Sequence, residues 1–142
     1  MKKTDSIIKQ SSQSEKELFF RAIKRSRPDC IEKGRVTSAL FKEKAGEGIS
    51  VDREAGRREI EIVSFILNGK IKGRVKGIAK FSSQICIDID AEIKETPNAD
   101  NPYHVDIYLN QENEQIQNVQ AWQLARECEV IYEDKNMAWT GR

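Results

Sequence analysis

The one histidine of the chain, His104, stands two residues before Asp106. An imidazole with an unperturbed pKa near ~6.5 can move a proton at neutral pH, and on a strand Asp106 would share its face. A single histidine leaves no His-pair metal site and no paired-histidine mechanism. A second group lies in Ser50-Val51-Asp52-Arg53 and Arg57-Arg58, charged and hydroxyl side chains at an expected element end, where sites are often built. Arginine forks grip phosphate or carboxylate bidentately. Arg53 and Arg57 meeting His104 in a pocket would therefore suit a nucleotide or another phosphate-bearing substrate. Asp52 has a plainer role open to it, as the N-cap of a following helix. Ser38 adds a hydroxyl upstream.

Three further constellations carry less. Asp88, Asp90 and Glu92 would share one face of a strand and offer hard oxygen ligands, but the plain reading is a solvated acidic face, and no metal is expected. Lys72, Arg74 and Lys76 would project from one strand face as a basic strip, again solvated by default. Only Phe81 interleaves with it, so single-stranded nucleic acid is not indicated. Cys30, Cys86 and Cys128 are odd in number and form no CxxC, so neither a disulfide framework nor a zinc site is implied, and Cys86 and Cys128 read as small core residues. The chain has no P-loop, no GxGxxG and no G-x-S-x-G, and no cofactor is expected.

These residues need elements to hold them. The stretch 34–58 reads as two strand-like pieces, 36–41 and 49–51, joined by a loop with Gly46 and Gly48 at its tip. Residues 16–23 read as a strand, cut off by Arg27-Pro28, with Cys30-Ile31 tucked under the turn that follows. Ile60, Val63 and Leu67, at i, i+3 and i+7, predict a helix over 57–67, stopped at Asn68-Gly69. Residues 84–93 alternate Ile85, Ile87, Ile89 and Ala91 with polar neighbours and predict a strand with Ile87 in the core. Residues 103–109 predict another, with Val105, Ile107 and Leu109 facing in. Asn118 would cap a last helix presenting Ala121, Leu124, Ala125 and Cys128, followed by a short strand at 130–132. The sum is a single α+β domain, 15–133, with a mainly antiparallel sheet and two helices on one face. Segments 1–14 and 134–142 read as tails.

Composition bounds the function without choosing it. The 142 residues fit one domain. Lys+Arg 24 against Asp+Glu 23 leave a net charge of +1, so no global field points to nucleic acid or membrane. No run approaches the ~18 apolar residues of a membrane span, and the start lacks the apolar core of a signal peptide. The expected setting is cytoplasmic.

The residues Gly34-Arg35, Thr37-Ser38, Phe41, Ser50-Val51-Asp52-Arg53 and Asn101-Pro102-Tyr103-His104 together resemble a group of small uncharacterised bacterial proteins. That group shares a GR-x-TS-x-x-F element, an SV segment and an NP-x-HA element ahead of a terminal helix. The likeness spans residues 21–128, is loose over 74–95, and departs at Val105, where the group tends to have Ala. It implies a bacterial origin and carries no activity. Two readings stand. The first is a non-catalytic binding or interaction protein acting with a protein partner. The second is a small enzyme for a phosphate-bearing substrate, with Arg53, Arg57 and His104 in one pocket. They part on whether His104 and the 50–58 segment converge.

Overall fold

Val105, Ile107 and Leu109 are buried and alternate with half-buried His104, Asp106 and Tyr108, the period of two that a strand with one covered face requires. In the computed structural model, which describes residues 17–43 and 46–134, they form β7 (His104–Tyr108). Its partners are β4 (Ile49–Arg53) on one side and β6 (Glu92–Glu95) on the other, both antiparallel. β4 pairs in turn with β1 (Leu18–Lys24), β1 with β5 (Val75–Ser82), and β5 with β8 (Glu129–Glu133). The result is a six-stranded antiparallel sheet in the order β6-β7-β4-β1-β5-β8. β2 (Ile31–Glu32) and β3 (Arg35–Val36) make a small separate hairpin. Its two-residue loop, Lys33-Gly34, has positive φ at both positions, the twist a tight hairpin needs and the reason for glycine at 34.

Each face of the sheet carries its own apolar cluster. On one, Phe19, Ile23, Ile49, Val51, Ala79, Phe81, Val105 and Ile107 pack under Leu40 and Phe41 of a 3-10 turn, Ser38–Phe41. α3 (Glu114–Arg126) packs over that turn and adds Ala121, Leu124 and Ala125. Phe81 meets Phe19 and Phe41 edge-on, at 5.9 and 5.5 Å between centroids, a favoured aromatic geometry. On the opposite face, α1 (Glu59–Leu67) lays Ile62 and Ile66 on Phe20, Val75 and Ile78. The architecture is thus α+β with a mainly antiparallel sheet. The described residues form three α-helices, counting the short α2 (Ser83–Asp88), where two were expected on one face, and they are divided between the faces.

Several expectations change for local reasons. Residues 36–41 do not pair with 49–51; only Val36 is in a strand, and the segment turns through the 3-10 helix. Residues 84–93 are not one strand. The Ser82 hydroxyl accepts a hydrogen bond from Gln84 N at 3.1 Å and caps α2, which buries Cys86 and Ile89 and leaves Ile87 42% exposed. The helix ends at Asp90, φ 64°, with Ala91 N bonded to Cys86 O and Asp90 N to Ile87 O, a Schellman stop with aspartate where glycine is usual. Asp88, Asp90 and Glu92 therefore share no face. Asp52 is no helix cap: it lies inside β4, and Arg58 leads α1 with its N–H bonded to Glu61 Oε1 at 2.8 Å. Asn113, not Asn118, caps α3, accepting from Ile116 N at 2.9 Å. The expected basic strip breaks up because β5 begins only at Val75, leaving Lys72 and Arg74 in the preceding turn. The helix expected over 57–67 forms and so does the closing strand, but the helix buries Ile62 and Ile66 and leaves Ile60, the first residue of the expected stripe, 65% exposed. Of the two expected tails, all but Asp134 lies outside the described residues.

Candidate functional site

β4 and β7 are paired with Ser50 opposite Asp106 and Asp52 opposite His104. Facing residues of an antiparallel pair point the same way, so these four side chains rise from one face of the sheet. It is the face that α1 covers, but α1 sits over β1 and β5 and leaves the β4–β7 half open. Between them runs a groove, part of a cavity of about 1390 Å³ that also reaches Arg21, Cys30, Leu40 and Glu43. Its floor is Ser50, Asp52, His104 and Asp106, its wall Ser64, Phe65 and Asn68 from the α1 side, and one end is closed by the 98–101 loop.

The loop is built to deliver one side chain. Asn98 Oδ1 accepts from the N–H groups of Asp100 and Asn101 at 2.9 and 2.8 Å, and Asn101 Oδ1 accepts from Tyr103 N at 2.9 Å, the local competition with regular structure that suits asparagine to turns. Held from both sides, Asn101 donates its Nδ2 to Asp52 Oδ1 at 2.9 Å. The other carboxylate oxygen, Oδ2, is buried and has no protein partner. Asp52 is only 9% exposed. Burial pushes its carboxyl above the usual aspartate range, and the Asn101 hydrogen bond, Arg57 and His104 pull the other way.

His104 is oriented from behind. Its Nδ1 lies 2.8 Å from the Thr96 hydroxyl and 3.2 Å from Thr96 O. The Thr96 hydroxyl is also 3.3 Å from Asp106 Oδ2, to which it can donate. The Thr96 carbonyl can only accept, so its approach to Nδ1 is a hydrogen bond when that ring nitrogen carries a proton. Asp106 Oδ1, 3.9 Å from Nε2, also takes the Ser50 hydroxyl at 3.4 Å. Gly48 is part of the same device: a Cβ there would stand 2.7 Å from Asp106 Cβ, so only glycine lets this carboxylate lie where it does.

Ser50, Asp52 and His104 thus come together; Arg53 and Ser38 do not join them, and Arg57 stands near enough for its charge to act on the Asp52 carboxyl. Arg53 pairs with Phe19 and so faces the other side of the sheet, where its Nε is 3.1 Å from Glu17 Oε2, an ion pair without an aligned hydrogen bond. Arg57 lies behind the groove end. Its guanidinium stacks on Tyr103 at 3.5 Å and reaches Phe65 at 5.5 Å, while Nε and Nη2 donate to Glu54 O and Arg53 O at 3.1 and 2.6 Å. Ser38 starts the 3-10 turn beneath α3, on the face away from the groove.

Sequence reasoning missed Asn101 and Thr96 as site residues. Asn101 stood in the quoted Asn-Pro element, and the run of turn formers from Thr96 to Pro102 was the available signal. Arg21 fills the space where β1 and β4 part. It donates to Leu40 O and Ser50 O at 2.9 and 2.7 Å and pairs with Glu43 at 2.7 Å. The Cys86 thiol is pushed up to about 12 by burial, and that of Cys128 higher still, which leaves both inert as nucleophiles. Among the described residues no group of three or more His, Cys, Asp or Glu is placed to hold a metal ion, and no helix is long and apolar enough to cross a membrane. Comparison with family models, with curated proteins and with solved structures finds no match to this chain.

Proposed function

We propose that the chain is a non-catalytic binding protein that holds a polar ligand in this groove, against Asp52 and beside His104 and Asn101. One observation carries the reading: a buried carboxylate oxygen without a protein partner, on the floor of a groove large enough to admit a ligand. Buried polar atoms without partners are rare because each forfeits its hydration. A ligand N–H or O–H placed on Asp52 Oδ2 would restore the missing bond, and the prearranged Asn101 and His104 would cost nothing further to order. The enzyme reading loses Arg53, which is turned to Glu17, while Arg57 gives Nε and Nη2 to backbone carbonyls and keeps Nη1 buried without a partner. The three free thiols fit a reducing cytoplasm, and the resemblance stated above supports a bacterial one.

The test is a screen of small polar fragments followed by amide chemical shifts of the full chain. Hits should move the amides of Ser50, Asn101 and His104 and lose their effect in Asp52→Asn. A screen in which no fragment reaches these amides, or in which hits ignore Asp52→Asn, would sink the reading.

A further inference from the structure

The outer face of α3 is apolar and exposed. The helix buries Ala121, Leu124 and Ala125, and at 3.6 residues per turn its opposite side carries Val119, Trp122 and Arg126, with Ile116 at the flank. Ile116, Val119 and Trp122 are 46%, 55% and 54% exposed, three of the five large apolar side chains so placed among the described residues. Charge is arranged around them. A third of the chain is charged, yet residues 115–125 hold no charged side chain. Glu112 and Glu114 stand before the stripe and Arg126 closes it. All three are exposed, and among the described residues none belongs to an ion pair. Glu127 follows Arg126 but points about 100° away from it. An apolar centre free of charge, with charges at its rim, is the make-up of a protein interface. Trp and Arg are the side chains that most often anchor one, and Arg126 already stacks on Trp122 at 4.8 Å.

The order acid, apolar, base selects the partner. Two α3 helices laid antiparallel about a twofold axis at Val119 put Ile116 of each against Trp122 of the other. Glu112 and Arg126 stand seven residues either side of Val119, so each Arg126 meets the acidic end of the other copy. Such a face is complementary to itself, as an isologous contact must be. A parallel pair would set Arg126 beside Arg126 and is disfavoured by repulsion. We propose that the chain forms a homodimer through α3, with Val119 on the axis and Trp122 and Arg126 as its anchors. No residue of α3 lines the cavity that holds Asp52, so the dimer leaves that groove open and does not rest on its having a ligand.

Sedimentation of the full chain tests it. One helix face buries less than the ~800 Å² a side of a standard interface, so the dimer should be weak, with Kd at or just below about 0.1 mM. Val119→Asp and Arg126→Glu should each weaken it at least about tenfold. Adding Glu112→Lys/Glu114→Lys to Arg126→Glu reverses both ends together and should restore dimerisation. Ile60→Asp, exposed on α1 across the sheet, should leave it unchanged. Every substituted position is exposed, and dispersed amide spectra would show that the variants fold. A chain monomeric at about 0.1 mM, a dimer unmoved by Val119→Asp, or one that the charge reversal does not restore would each overturn the proposal. A monomer in which Trp139→Ala, outside the described residues, moves the amides of Val119 and Trp122 would give the stripe to the chain's own end and overturn it as well.

Discussion

Burial works against the charged form of Asp52. Its folded-state pKa lies above the ordinary value of 3.8, with burial as the main cause, so the folded protein binds this proton more tightly than the unfolded chain. The sign follows from linkage: below 3.8 both states are protonated and the group is neutral in its effect, and stability falls as pH rises from there through the raised pKa. Asp52→Asn keeps the shape and can keep a bond to Asn101 while removing the buried charge. It should raise Tm at pH 7 by roughly 2–4 °C, and the gain should vanish below about pH 3.8; thermal melts from pH 3 to 8, intervals chosen about the carboxylate range, check both. A drop in Tm at pH 7 would mean that the carboxylate is better satisfied than its unpartnered oxygen implies. A residue kept at a cost to stability is what a binding site looks like. Gly48→Ala belongs to the same scale. Its Cβ would collide with Asp106 Cβ, so the substitution should shift the Asp106 and Thr96 resonances and cost about 1–3 kcal/mol, read by chemical denaturation.

Among elements, α2 and β7 make opposite use of similar isoleucines. Ile107 in β7 is fully buried and Ile87 in α2 is 42% exposed. Ile107→Ala should therefore cost about 2–5 kcal/mol, whereas Ile87→Asp should stay within about 0.5 kcal/mol, as surface changes do. Urea denaturation of the two variants separates them, and a large loss for Ile87→Asp would restore the strand reading of that segment. α3 shows the same division on one helix. Ala121, Leu124 and Ala125 pack on the sheet while Ile116, Val119 and Trp122 are exposed, with Arg126 stacked 4.8 Å from the Trp122 ring.

At the scale of the whole molecule, the groove follows from width. Six strands at ~4.8 Å spacing span about 24 Å, and one helix covers only ~10 Å of that. α1 takes the β1–β5 side, where Phe20 and Ile78 are apolar, and the β4–β7 side stays open with polar residues. Arg21 holds the joint between the halves by tying β1 to β4 through Ser50 O and to the 3-10 turn through Leu40 O. Arg21→Ala would leave two carbonyls and Glu43 without their partner. The pair is half-buried, so the loss should be about 1–3 kcal/mol, with faster amide exchange at the ends of β4 and β1. Unchanged exchange there would show that the strands hold together without it.

Periodicity alone determined much of this. The alternation of Val105, Ile107 and Leu109 settles β7 and which way His104 and Asp106 face. The spacing of Ile60, Val63 and Leu67 gave α1 its span but not its buried side, which is Ile62 and Ile66, and Ala121, Leu124 and Ala125 gave the buried side of α3. Parity even separates Asp52 from Arg53, since neighbours on a strand point to opposite faces, a consequence the pocket of Arg53, Arg57 and His104 overlooked. The strand expected over 84–93 failed because three isoleucines at alternate positions, 85, 87 and 89, fit period two but also a short helix, and the Ser82 cap with the Asp90 stop decides for the helix. The pairing of β4 with β7 is not written locally at all. Asp52 and His104 are fifty-two positions apart in sequence, and their meeting depends on register, which the packing of two apolar faces selects. The same holds for Asn101: its turn is legible, but its carboxylate partner exists only once the strands are aligned. Tertiary structure decided the site because cross-strand neighbours are set by the whole sheet, and side-chain period by each strand alone.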